Sequence, residues 1–194
     1  MESAVSSSPV EKFREAVSRN PDSAKAHMQL GMALLKTGML KEARQELERA
    51  VELEPEYVEA WVNLGGARLM KWDFQGCVEA NQEAVRRQGD LLVAHFNMGQ
   101  AYLYLKNAPQ LVHCNRRVLE LEENHPAAHY FLAVGLLATD QVEEARAELS
   151  RATGLGYQPR PEFLKSLDRA EKALVQKDTT SAPEAPAEGD AKEE

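Results

Sequence analysis

Apolar residues recur at three- and four-residue intervals through most of the chain, in short runs broken by turn residues. Between 24 and 57 they fall at Leu30, Leu34 and Leu35, then at Leu40, Ala43, Leu47, Ala50 and Val51. That spacing marks one buried helix face, interrupted at Thr37-Gly38, and it predicts two helices joined by a turn. Pro55 stops the second helix, and Pro21 stands one interval earlier. The pattern then returns. The run from Lys41 to Ala50 closely matches the run from Glu143 to Ala152, 102 residues on. Gly31, Gly65 and Gly99 lie 34 residues apart and follow Leu30, Leu64 and Met98; Leu132-Ala133 continues the series. The period divides the chain into four units, 24–57, 58–91, 92–125 and 126–159. Arg14 to Arg19 reads as the end of a second helix, so a half-unit, 9–23, precedes them. After Pro159 and Pro161, the residues Phe163, Leu164, Leu167, Ala170 and Leu174 predict one amphipathic capping helix over 160–177.

No single unit of this kind can bury its apolar face alone, so neighbouring units must stack. Small residues at Gly31, Gly65, Gly99 and Ala133 let paired helices approach, as do Ala43, Cys77 and Ala145 from the other helix. The expected fold is an all-α, right-handed α-solenoid of helix–turn–helix repeats.

The unit resembles the tetratricopeptide repeat. Its signature stands in the first unit as His27, Leu30, Gly31, Leu34, Ala43, Leu47, Ala50 and Pro55. The second has Trp61, Leu64, Gly65, Cys77 and Ala84. The third has His95, Met98, Gly99 and Tyr102, with Leu111 where Ala is usual. The fourth has His129, Leu132, Leu136, Ala145, Leu149 and Ala152, with Ala133 for the Gly. The resemblance covers residues 9 to 177. It implies a concave groove lined by the first helix of each unit, at its second, fifth, ninth, twelfth and thirteenth places. Those places hold Lys25, Met28, Met32, Leu35 and Lys36, then Glu59, Val62, Gly66, Leu69 and Met70. The third unit adds Val93, Phe96, Gln100, Leu103 and Tyr104, and the fourth Ala127, Tyr130, Val134, Leu137 and Ala138. Fifteen of the twenty are apolar or aromatic, so the implied groove is a Met-containing apolar trough suited to varied partners. Family members that clamp a terminal carboxylate use a set of Lys, Asn and Arg on this face; here only Asn63 matches that set, and Met28, Met32 and Val93 replace clamp residues. The candidate contacts are therefore Met28, Met32, Leu35, Val62, Leu69, Met70, Phe96, Gln100, Tyr104, Tyr130 and Val134. Trp72, at the turn where Gly38 stands in the first unit, is a candidate turn hot spot.

The remaining chemistry narrows the function. The chain has 194 residues and a net charge of -8, which argues against a phosphate-backbone binder. The longest uncharged runs, Leu91 to Leu105 and Asn124 to Thr139, are too short for direct membrane insertion. Residues 1–8 read as a loose end. Residues 178–194 hold six acidic residues against one Lys, and no large apolar residue. They are expected to be a disordered acidic tail. His27, His95 and His129 share one place in three units, where Trp61 stands in the second, so they read as core rather than as metal ligands. His113-Cys114 is the only nucleophile-and-base pairing in view, and adjacent helix residues point apart. No cofactor motif is present. Arg86-Arg87 and Arg116-Arg117 are basic pairs on second helices.

These readings predict a non-catalytic, cytoplasmic protein–protein interaction module, a scaffold, adaptor or assembly factor. Its partner would be an apolar helix or extended segment of another protein. Two alternatives stay open: a chaperone for apolar segments of a secreted or membrane client, and a structural subunit of a larger complex. Self-association through the groove is a further way to fill it.

Overall fold

A computed structural model describes residues 8–181. Among them are ten helices: α1 (Pro9–Arg19), α2 (Ala24–Lys36), α3 (Leu40–Leu53), α4 (Val58–Met70), α5 (Phe74–Gln88), α6 (Leu92–Tyr104), α7 (Ala108–Leu121), α8 (Pro126–Ala138), α9 (Val142–Gly154) and α10 (Pro161–Ser181). The first helices of the units start at Ala24, Val58, Leu92 and Pro126, each 34 residues after the last.

Local signals explain the boundaries. Ser8 and Glu11 form a reciprocal capping box at α1, so Ser8 belongs to the folded part and not to the expected loose end. The side chains of Ser23, Asp73, Asn107 and His125 accept from backbone N–H groups in the first turns of α2, α5, α7 and α8. The turns inside the four units share one conformation. Gly38, Trp72, Lys106 and Asp140 all take positive φ, at 77°, 64°, 55° and 60°. The N–H after each of them reaches back to the carbonyl of Leu34, Arg68, Tyr102 or Leu136, closing the helix end.

Each pair packs as an antiparallel hairpin, and successive pairs stack. The first helices of neighbouring units also touch: α2 meets α4, α4 meets α6, and α6 meets α8. The second helices α3, α5, α7 and α9 make no comparable approach to one another. The stack therefore curves with α2, α4, α6 and α8 on its inner face. Ala43, Leu47, Ala50, Ala60, Ala67, Cys77, Ala84, Ala101, Val118 and Ala145 are fully buried between helices.

α10 closes the array. Its Leu167 is fully buried in a cluster with Leu136, Leu149 and Ala152, while Lys165, Asp168, Arg169 and Lys172 are exposed. Glu171 is half-buried because it pairs with Arg146 of α9. The helix extends to Ser181, past the expected end at 177. No proline or glycine interrupts the sequence before Pro183, so propagation continues from an anchored nucleus. Residues 1–7 and 182–194, the rest of the loose end and of the acidic tail, lie outside the described residues.

Candidate partner-binding face

The sequence-predicted groove residues separate into several groups. Met28 and Met32 lie together with Pro9, Phe13 and Lys36 around a hollow of about 370 Å³. Met28 is largely buried at its base, whereas Met32 is exposed. Val62 lies with Val58, Leu92 and Val93 on a second hollow of about 290 Å³ between α4 and α6. Val93 is 55% exposed; it belonged to the implied groove but not to the candidate contacts. Leu35 and Leu69 are half-buried and pack onto core clusters, so they are mainly inter-helix packing. Gln100 is half-buried. Phe96 is half-buried against His125, at 4.7 Å between ring centroids, and Phe131, at 5.9 Å. Val134 borders a hollow of about 200 Å³ with Leu103, Lys106 and Ala138.

Tyr130 is not an accessible contact. It is 4% exposed, stacked on Tyr157 at 4.6 Å and met edge-on by Phe163 of α10 at 5.3 Å. The chain's own capping segment covers the fourth unit at this point. Tyr157 follows α9 and Phe163 opens α10, and their register with Tyr130 is invisible in the repeat pattern.

Tyr104 leaves the groove for a cluster at the turn edge. Its ring stacks on Phe74 at 4.5 Å and 4°. Trp72 meets both rings edge-on, at 6.0 Å from Phe74 and 5.8 Å from Tyr104. Trp72 nevertheless remains 71% exposed, and Met70 is 51% exposed. A bulky residue at positive φ costs about 1–2 kcal/mol relative to the right-handed region. Glycine would relieve that cost here, as Gly38 does in the first unit.

The shared ring position holds a feature that the sequence reading missed. His27 Nδ1 is 2.6 Å from a Glu46 carboxylate oxygen and its Nε2 is 2.9 Å from the Pro21 carbonyl. His129 repeats this with Glu148 at 2.6 Å and the Glu123 carbonyl at 2.8 Å. Trp61 donates to the Pro55 carbonyl at 2.7 Å, with the Arg87 guanidinium 5.1 Å from its ring. Each ring thus ties the preceding inter-unit turn to its own unit. His95 does not: both of its nitrogens are buried without a hydrogen-bond partner. Cys114 occupies the place of Glu46 and Glu148, 19 residues after the ring. On the other side, α5 overruns the period by one residue and ends on Gly89 at φ 67°. Burial, and then the Arg117 guanidinium, hold the His95 imidazole below its ordinary pKa. The sequence signal was available: Glu at +19 in two units, Ala80 and Cys114 in the others.

Neither cysteine has the setting of a reactive thiol. Cys77 and Cys114 are free and buried, and burial pushes both thiols up to about 12, far from a reactive thiolate at neutral pH. His113 is exposed. No group of three metal-ligating side chains occurs among the described residues. No helix there is long and apolar enough to cross a membrane. The basic pairs are engaged: Arg86 with Glu83, Arg87 with Glu83 and Glu56, Arg116 with Glu144, and Arg117 with Asp90 and Glu120.

Stacked antiparallel helix pairs around an inner face of first helices define an α-helical repeat solenoid. Tetratricopeptide repeat profiles match residues 10–67 and 126–151. The chain thus carries tetratricopeptide repeats in those two stretches; proteins built from such repeats are generally non-catalytic interaction modules. Comparison of the sequence with curated proteins finds no match. Among solved structures the fold resembles YrrB, described as a TPR protein with an unusual peptide-binding site. That similarity has TM-score 0.70 and 19% identity, over 87% of this chain and 99% of that one. Pseudomonas aeruginosa pilF is similar with TM-score 0.70 and 21% identity, over 89% and 80%. MamA is similar with TM-score 0.63 and 16% identity, over 86% and 89%.

Proposed function

We propose that this chain is a non-catalytic adaptor or assembly factor whose inner face binds an apolar helix or extended segment of another protein. The observation that carries this reading is the pair of apolar hollows on units one to three. They hold exposed Met32 and Val93 beside Met28, Phe13, Val58 and Val62. An amphipathic helix places apolar side chains at i, i+3, i+4 and i+7, which suits successive hollows along a helix-lined face. The peptide-binding site named for YrrB belongs to that protein and is consistent with such use of the fold. Free thiols at Cys77 and Cys114 suit a reducing, cytoplasmic setting.

The test replaces exposed groove residues, not Tyr130, whose substitution would unseat the cap. Met32→Glu with Val93→Glu should leave the helical circular dichroism signal intact. It should also weaken capture of a native-lysate partner by about thirtyfold, the loss of roughly 2 kcal/mol expected for interface anchors. A partner held equally by both chains would remove the groove reading and move the contact to the outer face.

A further inference from the structure

The turn edge of the solenoid carries a second surface, independent of the groove. It joins exposed aromatic area to cations without counter-charges. Trp72 and Tyr104 stand edge to face at 5.8 Å, with exposed Met70 and Leu105 around them. Lys71 precedes Trp72, and Lys106 lies two residues after Tyr104. Lys71 and Lys41 border one hollow of about 340 Å³. Glu42, the carboxylate on that hollow, is taken by Arg14 at 2.5 Å. Asp73, beside Trp72, caps α5 through the Gly76 N–H and faces Arg68. Lys41, Lys71 and Lys106 make no ion pair among the described residues.

The chain itself contains the complementary charge. Residues 182–194 include Glu184, Glu188, Asp190, Glu193 and Glu194 against Lys192 alone. α10 delivers this segment to the same edge. Phe163 at its start meets Tyr130, and Glu171 pairs with Arg146, so α10 runs antiparallel to α9. Beyond Glu171 it runs ten more residues to Ser181, in the direction of the Asp140 end of the α8–α9 hairpin. Thirteen extended residues reach about 43 Å at roughly 3.3 Å each. The steps from α10 across α8 and α6 to α4 total about 30 Å at roughly 10 Å per packed helix. The acidic half of the segment therefore reaches Lys106 and Lys71.

We propose that residues 182–194 dock in cis across this edge, their carboxylates on Lys106 and Lys71 and their chain over the Trp72–Tyr104 pair. Tethering supplies a high effective concentration, so several weak charge contacts suffice without a deep pocket. The occupant also accounts for a tryptophan at a turn position that glycine fills more easily.

The test reads acrylamide quenching of Trp72 in the full chain, with the Trp72→Phe variant subtracting Trp61. Neutralising the segment (Glu184→Gln, Glu188→Gln, Asp190→Asn, Glu193→Gln, Glu194→Gln) should raise the Trp72 quenching constant about twofold, as covered indole area is released. Lys71→Glu with Lys106→Glu should do the same, and so should molar salt, which cuts screening lengths to about 3 Å. Adding lysines at the five acidic positions to the Lys→Glu chain should restore protection. All these positions lie on the surface or in the segment itself, and circular dichroism confirms folding. Quenching unchanged by neutralisation overturns the proposal. Protection that grows with protein concentration also overturns it, because the occupant would then be a second copy.

Discussion

Units one and four solve the packing problem of the repeat differently from units two and three, although all four share one period. In the outer pair, the second helix sends Leu47 against Gly31 in unit one, and Leu149 shares a core cluster with Ala133 in unit four. In the inner pair the equivalent residues are Asn81 and Asn115, both fully buried, set against Gly65 and Gly99. The shared ring position divides along similar lines. Histidines of the outer units hold a carboxylate and a carbonyl, whereas His95 holds neither. The stability of a solenoid is close to a sum over units and their interfaces. Identical backbone repeats can therefore carry unequal energies, and the inner units hold the buried polar atoms that cost most.

The sharpest way to break this contrast is to remove the rings. His129→Ala deletes a buried ring and two hydrogen bonds, and leaves Glu148, 12% exposed in its side chain, with Arg151 as its remaining partner. The expected loss is about 3 kcal/mol, combining cavity and hydrogen-bond terms. His95→Ala deletes the same ring without a hydrogen bond and should cost only about 1–2 kcal/mol. Urea unfolding of the two variants beside the parent chain measures both. Equal losses would mean that the paired histidines contribute only volume.

The second prediction inverts the sign. Asn115 donates to the Leu111 carbonyl at 2.8 Å, but its side-chain oxygen is buried without a partner. Asn115→Leu copies the Leu47 and Leu149 arrangement into unit three, where Gly99 leaves room for it. It should raise stability by about 1–2 kcal/mol, because an unsatisfied buried acceptor is replaced by apolar contact. Asn81→Leu should gain less, since the Asn81 oxygen accepts from Asn97 at 3.4 Å. A shift in the thermal midpoint reports both. A loss at Asn115 would show that the amide is needed to hold the α6–α7 hairpin.

Much of the architecture was legible in the sequence, for a physical reason. A repeat must bury the same face every period, so Leu30, Leu64, Met98 and Leu132 announce the helices as clearly as Gly31, Gly65 and Gly99 announce their close approach. The ring position was legible as core, and its carboxylate partners could be read from Glu46 and Glu148, 19 residues on, but its carbonyl partners could not. Whether His95 meets an acceptor depends on one extra residue in α5 and on the φ of Gly89, neither of which alters the hydrophobic pattern. The candidate face was legible only in outline. Tyr130 sits at a groove place, yet α10 folds back over it, and the register of a capping helix follows from packing against the last unit rather than from the period. Trp72 was visible as an oddity at a glycine position, but its stacking partner Tyr104 comes from the next unit.

The smallest effect should come from protons at unit three. Burial is the main reason that the His95 imidazole resists protonation in the folded chain, and Arg117 adds to it. His113 also opposes the charge, whereas Asp90 and Glu120 favour it; the Asp90 carboxylate is 4.0 Å from Nε2 and is itself held by Arg117. In the unfolded chain the ring regains the ordinary histidine value, about 6.5. Above that value both states are neutral and the stability associated with His95 is fully present. As pH falls below it, the unfolded chain binds a proton that the folded chain refuses, so stability declines until the folded ring also titrates. His95→Gln removes this term and leaves His27, His113, His125 and His129 as a common background. The variant's urea midpoint should therefore fall less steeply than the parent's as pH drops from about 7.5 to about 5. Parallel curves would mean that His95 finds a proton acceptor in the folded chain, and unit three would then resemble unit four more closely than its hydrogen bonds indicate.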